Sequence, residues 1–148
     1  MTRQLTFLFL MIMLVLPTLI AGCSSNNQGG TGAVELKMAP MADMPPEVKQ
    51  ASVTVQDAYR FNVANPEIMK EIPCYCGCGS MGHASNYACY VQDDSGGKIT
   101  FDSHALGCSI CVDITVDAMR MLKEGKSTAE IKQAVDDTYA KFGPSNIP

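Results

Sequence analysis

The sequence predicts a mainly α-helical fold, a small single-domain helical bundle with a cysteine-rich loop and a short β-hairpin. Three observations carry that expectation. Ser127 and Glu130 form a capping box, and Ile131, Ala134, Val135, Thr138, Tyr139 and Phe142 follow it at helical spacing until Gly143-Pro144. The stretch "DSHALGCSICVDITVDAMRMLKEG" has room for about five or six helical turns, starting at Asp102 or Ser103 and stopping at Gly125. "TVQDAYRFNVANP" opens with Thr54 and Asp57 in cap-like spacing and stops at Asn65-Pro66, where proline disfavours helical geometry in the residue before it.

The chain begins with something other than a fold. Arg3 precedes the apolar run "LTFLFLMIMLVL", Pro17 breaks it, and "LIAGC" closes it. A spanning helix needs about 20 continuous apolar residues. An interrupted run with a positive start and a small-residue ending reads instead as a targeting segment over residues 1–22. "LIAGC" resembles the bacterial lipobox, with Ile20 where leucine is commoner. That resemblance implies lipid on Cys23 and a mature protein held on the extracytoplasmic face of the cell membrane.

Residues 23–46 are rich in Ser, Asn, Gly and Pro and are expected to form a flexible tether. Met38, Met41 and Met44 recur within it every three residues, either incidentally or as a soft tail attractive to Cu(I). The folded domain is expected over residues 47–148. Pro66 can start a short helix, "PEIMKEI", capped by Asn65. From Pro73 to His83, glycines and alternating cysteines argue for a loop. "ACYVQDDSGGKITF" suggests a hairpin turning at Ser95-Gly96-Gly97.

The chain has seven cysteines and two histidines. Removing Cys23 leaves Cys74, Cys76, Cys78, Cys89, Cys108 and Cys111. An even number outside the cytoplasm is what a disulfide-stapled module would also show. Two features favour metal over bridges. In "PCYCGCG" the C-x-C-x-C spacing makes a local disulfide close a very small, strained ring. Closely spaced thiolates, by contrast, lose little chain entropy in converging on one ion. Both histidines, His83 and His104, also fall inside the cysteine-rich window, where a disulfide framework has no need of them. In a continuous helix from Asp102, His104, Cys108 and Cys111 would share about 60° of arc. "CVDITV" also alternates, and as a strand it would dissolve that stripe. Asp102 and Asp113 flank the group, either orienting His104 or capping the helix.

"PCYCGCG", then "GHASNYACY", then "DSHALGCSICVDI" occur in that order. Together they resemble the bacterial family named for its PCYCGC motif, over residues 53–140. The resemblance implies a lipoprotein domain suspected of binding metal.

Composition removes several other functions. The formal net charge is −4, without a basic patch interleaved with aromatics, so nucleic-acid binding finds no support. No Gly-rich phosphate loop, Ser–His–Asp motif or "HExxH" is visible, and "CSICV" lacks the histidine of a haem-attachment motif. The spacing matches neither common ferredoxin pattern. Cys74, Cys76, Cys78, Cys89, His104, Cys108 and Cys111 are thus the expected metal ligands, with His83 as an additional candidate. Cu(I) is the first choice on softness and zinc the second. Six thiols and two imidazoles exceed the needs of one tetrahedral ion, which argues for a polynuclear centre or two sites. Metal handling or sensing, with a metal donor or acceptor protein as partner, follows more naturally than catalysis. The alternatives are a structural zinc or disulfide-stapled scaffold module and a thiol–disulfide redox or electron-transfer protein using "CSIC".

Overall fold

Val53–Ala64 forms a helix because Ala58, Tyr59, Phe61 and Asn62 fall on one face and are buried there. The computed structural model describes residues 34–147; the expected signal segment, Cys23 and the first part of the tether lie outside the described residues. Within them the elements in order are α1 (Pro46–Lys49), α2 (Val53–Ala64), α3 (Pro66–Met69), β1 (Val91–Asp93), β2 (Thr100–Phe101), α4 (His104–Gly107), α5 (Ser109–Lys123) and α6 (Thr128–Tyr139). Short 3₁₀ turns occupy Met41–Asp43, Cys78–Met81, Tyr87–Cys89 and Ala140–Phe142. The fold is mainly α, as expected. None of the described helices is long and apolar enough to cross a membrane.

The tether is shorter than the sequence suggested. Ala39, Met44 and Val48 are buried, and Leu36, Met38 and Met41 pack partly buried against the core. Arg60 Nε donates to Ala39 O (2.8 Å), and the Ala39 N–H donates to Arg60 O (3.0 Å). Asn65 Nδ2 reaches Lys37 O at 3.0 Å. Packing therefore starts near Leu36, upstream of Glu47. The methionines spaced by three serve the core of the domain. Composition misled here because the apolar residues that do the packing are diluted by Pro and Gly.

α2 starts one residue before the expected cap. Ser52 is the N-cap without a side-chain bond, Thr54 lies inside the helix, and Asp57 pairs with Arg60 Nη1 at 2.9 Å. The stop at Asn65-Pro66 occurs as read, and Pro66 occupies the first turn of α3. Asn65 does not cap α3 with its side chain; its amide turns back to Phe61 O and Lys37 O.

α5 buries Cys111, Val112, Ile114, Thr115, Ala118 and Met121 along one stripe and packs between α2 and α6. It ends at Gly125, whose φ of +79° only glycine adopts cheaply. Gly125 N–H donates to Leu122 O and Lys126 N–H to Met121 O, a Schellman closure, with Arg120 and Lys123 in the last turn. α6 begins with the predicted capping box, both reciprocal bonds present. Its buried face is Ile131, Val135 and Tyr139. Thr138 and Phe142 are exposed, so the apolar stripe is narrower than the spacing implied.

β1 and β2 form an antiparallel pair with Val91 opposite Phe101 and an irregularity between Val91 and Asp93. The turn lies where Ser95-Gly96-Gly97 predicted it, and Gly97 has φ +72°. This hairpin seats Tyr90 against the core. Tyr59 and Tyr90 meet edge to face with ring centroids 4.8 Å apart, and Tyr59 Oη donates to Asp102 O at 2.8 Å.

Candidate metal centre

The single helix expected from Asp102 to Gly125 is broken. α4 ends at Gly107, and Cys108 has an extended backbone (φ −119°, ψ 102°) as the N-cap of α5. His104, Cys108 and Cys111 therefore do not form a helical stripe. They converge all the same: their ligand atoms and that of Cys76 lie within 4.8 Å of one another. Gly107 was the sequence signal for the interruption, since glycine weakens a helix interior by about 1 kcal/mol relative to alanine. Cys108 thus sits at the start of α5, with Cys111 at the third helical position.

The loop from Ile72 to His83 reaches the same place by a different construction. Asn86 N–H fixes its start through Ile72 O at 2.8 Å. Gly77 (φ +83°) and Gly82 (φ +91°) bracket the 3₁₀ turn at Cys78–Met81, both in the left-handed region that favours glycine. Gly79 serves differently: a Cβ there would lie 3.3 Å from Asn146 Cβ. Tyr75 is pinned to α6 by a hydrogen bond from its hydroxyl to Asp136 Oδ1 at 2.6 Å. Burial first, then the Asp136 carboxylate, pushes the Tyr75 phenol up to about 12.

The six cysteines among the described residues are free thiols. Cys74 Sγ lies 3.4 Å from both Cys76 Sγ and Cys111 Sγ; Cys76 Sγ is 3.6 Å from Cys111 Sγ, and Cys78 Sγ is 3.6 Å from Cys89 Sγ. A disulfide would bring sulfurs to about 2.05 Å. A tetrahedral ion with metal–sulfur bonds of about 2.3 Å holds its sulfurs about 3.8 Å apart. The observed separations lie close to that edge. Cys76 Sγ is also 3.4 Å from His104 Nε2.

These side chains form four overlapping groups whose ligand atoms all lie within 4.8 Å of one another: Cys76, His104, Cys108 and Cys111; Cys78, His83, Cys89 and His104; Cys74, Cys89 and Cys111; and Cys74, Cys76 and Cys78. The structure therefore brings together the seven residues expected as ligands and His83 as well. Cys74, Cys78, Cys89 and Cys111 are at most 1% exposed, whereas Cys76 and Cys108 are half-buried.

Within the array the thiols are electrostatically unequal. Hydrogen bonding from Cys111 first, then Cys89, holds the Cys74 thiol well below its ordinary range. The same contacts raise Cys111, and burial raises Cys76 and Cys78. Concentrating thiols, four of them buried, thus resists ionising all of them unless a cation compensates the charge.

Asp102 does not orient His104 through its ring. One carboxylate oxygen accepts the His104 backbone N–H at 2.7 Å, and the other lies 3.4 Å from His83 Nε2. The His83 ring stands edge-on to His104 at 5.1 Å between centroids. Asp113 is exposed on α5.

Two groups of residues escaped the sequence reading. Asn146 closes the C-terminal segment over the cysteine loop: its Oδ1 accepts Cys74 N–H (2.6 Å), and its Nδ2 reaches His83 O (3.0 Å) and Cys78 Sγ (3.5 Å). Its own N–H donates to Cys74 O at 3.2 Å. Beneath α5, the Cys111 carbonyl accepts from Asn86 Nδ2 (3.1 Å) and Tyr90 Oη (2.9 Å). The Thr115 hydroxyl donates to Asn86 Oδ1 (2.9 Å) and accepts from Asn62 Nδ2 (3.1 Å). No local spacing signals either set, because the partners are far apart in sequence.

Fold and cluster define a small, mainly helical, cysteine- and histidine-rich domain whose side chains could hold a metal ion. A family model described as "Protein of unknown function with PCYCGC motif" matches residues 12–146, nearly the whole chain, and the protein belongs to that family. No curated protein and no solved structure matches the chain.

Proposed function

We propose that this is a lipid-anchored protein of the extracytoplasmic membrane face that handles or senses a soft metal ion, Cu(I) foremost, at the cysteine–histidine cluster. The observation that carries the reading is the convergence of six free thiols and two imidazoles, mostly buried, with sulfur separations close to a metal tetrahedron's edge. Thiolate-rich sites favour Cu(I) and zinc over hard cations, and half-buried Cys76 and Cys108 give an ion a route in and out. A purely structural zinc needs only four ligands, fully enclosed. The surplus of ligands and the partial exposure favour handling over scaffolding, with a metal donor or acceptor protein as the exchange partner.

The test is isolation of the protein under anaerobic conditions without chelator, followed by elemental analysis and titration against a Cu(I)-specific competitor. Tight Cu(I) retention is expected, with release of protons as thiols ionise. Protein that retains neither Cu(I) nor Zn²⁺ and shows three bridges by peptide mapping would be a disulfide scaffold. Anchoring is tested separately by intact mass: loss of residues 1–22 and acyl chains on Cys23 are expected. An unmodified Cys23 with the leader still attached would refute it.

One observation favours a second reading. Half-buried Cys108 caps α5 while buried Cys111 lies within reach of it, so "CSIC" straddles a helix N-terminus as redox dithiols do. Rapid exchange of this pair with a disulfide partner, in metal-free protein, would support a thiol–disulfide role.

A further inference from the structure

We propose that the cluster holds two metal ions in halves of different composition, sharing the Cys74 thiolate; this rests on the metal-handling reading above. Two groups of four ligands exist, and they have only His104 in common. His104 Nε2 stands 3.4 Å from Cys76 Sγ, which places that nitrogen in the half made by Cys76, Cys108 and Cys111. The other half retains Cys78, Cys89 and His83, one ligand short of a tetrahedron. Cys74 supplies it. It lies within 4.8 Å of Cys76 and Cys78 in one group and of Cys89 and Cys111 in another, so it reaches two sulfurs of each half. A thiolate sulfur has lone pairs enough for two ions.

His83 is the independent observation. It is 9% exposed, and its Nδ1 is buried without any hydrogen-bond partner. An orphaned buried nitrogen is costly and rarely kept without a reason. Its other nitrogen faces the Asp102 carboxylate at 3.4 Å. A carboxylate behind one imidazole nitrogen, with the other left free, is how metal-bound histidines are usually held. The open Nδ1 belongs to a ring grouped with Cys78 and Cys89, whose sulfurs are 3.6 Å apart. The second half is thus sulfur-rich with one histidine, and the first is closed by His104 and opens to solvent at Cys108.

The experiment is Cu(I) titration of the full chain, reduced and anaerobic, in competition with bicinchoninate. Retained copper is counted after gel filtration, and X-ray absorption reports any metal–metal path. Wild type should retain two equivalents and show that path. His83→Ala should retain one and lose the path, with its far-UV circular dichroism unchanged. Because that variant could fail to fold, Asp102→Asn provides a milder probe that keeps the oxygen accepting the His104 N–H. It should weaken one equivalent about 10–100-fold and leave the other unaltered. A single equivalent in wild type, matched by an identical titration of both variants, overturns the two-ion inference and leaves the metal-handling reading standing. Equal weakening of both equivalents by Asp102→Asn also overturns it. If wild type retains no copper at all, both readings fall together.

Discussion

Replacing Asn146 by alanine should destabilise the metal-free domain substantially, although the residue lies in the tail after the last helix. The substitution deletes a 2.6 Å bond from the Cys74 N–H and a 3.0 Å bond to the His83 carbonyl. It also deletes a weaker 3.5 Å contact to Cys78 Sγ, while the bond from the Asn146 N–H to Cys74 O can persist. Each good bond contributes about 0.5–1.5 kcal/mol net, and a buried group left unpaired costs more. Cys74 is fully buried, so its N–H has no water to turn to. The expected loss is about 2–3 kcal/mol. For a domain of this size that lowers Tm by about 8–12 °C. The assay is urea and thermal unfolding of reduced protein under anaerobic conditions, followed by circular dichroism. Lys98→Ala, on the exposed hairpin turn, is the control and should change stability by less than about 0.5 kcal/mol. If Asn146→Ala is as silent as that control, the C-terminal segment does not clamp the cysteine loop, and the hydrogen bonds assigned to it contribute nothing.

Gly143→Ala should also destabilise, by about 1–3 kcal/mol, because a Cβ there would lie 2.8 Å from the Tyr75 carbonyl oxygen; the urea midpoint reports it. Cys108→Ser should lower the copper retained after gel filtration, whereas Ser109→Ala, exposed on the first turn of α5, should leave it unchanged. Bonds from the Ser127 backbone and hydroxyl hold the Glu130 carboxyl at about 2, below its ordinary 4.5. A depressed folded pKa means stability present above pH 4.5 and lost as pH falls toward 2, so Glu130→Gln should flatten the urea midpoint across that window.

What the sequence made legible was local. The capping box at Ser127, the stop at Gly125, the Asn65-Pro66 boundary and the hairpin turn each depend on residues a few positions apart, and each is present. The gathering of cysteines was legible too, but for a partly wrong reason. A continuous helix would have aligned His104, Cys108 and Cys111; the chain instead breaks at Cys108, and the three converge across the break. Long-range contacts left no trace in the sequence. Asn146 is separated from Cys74 by 72 positions, and nothing in "GPSNIP" marks it as a partner of "PCYCGC". The packing of Ala39 and Met44 was hidden for the converse reason. Proline-rich composition describes how a segment would behave alone, and α2 gives this one a surface to settle on.

The bonds on the Cys111 carbonyl bear on which ions the site can tolerate. Asn86 and Tyr90 hold that oxygen, Thr115 holds Asn86, and Asn62 holds Thr115 in turn, all within the core. The Cys111 sulfur therefore rides on a backbone that cannot shift without breaking a connected set of buried bonds. An ion that fits the existing spacing of sulfurs meets a mould already set. One that needs a wider or six-fold oxygen shell would have to deform the core to obtain it, and that elastic resistance is a filter independent of ligand softness. Discrimination among cations would then be stored in side chains that never touch the ion. Loosening the mould, for example with Tyr90→Phe, should broaden the range of ions bound before it abolishes binding.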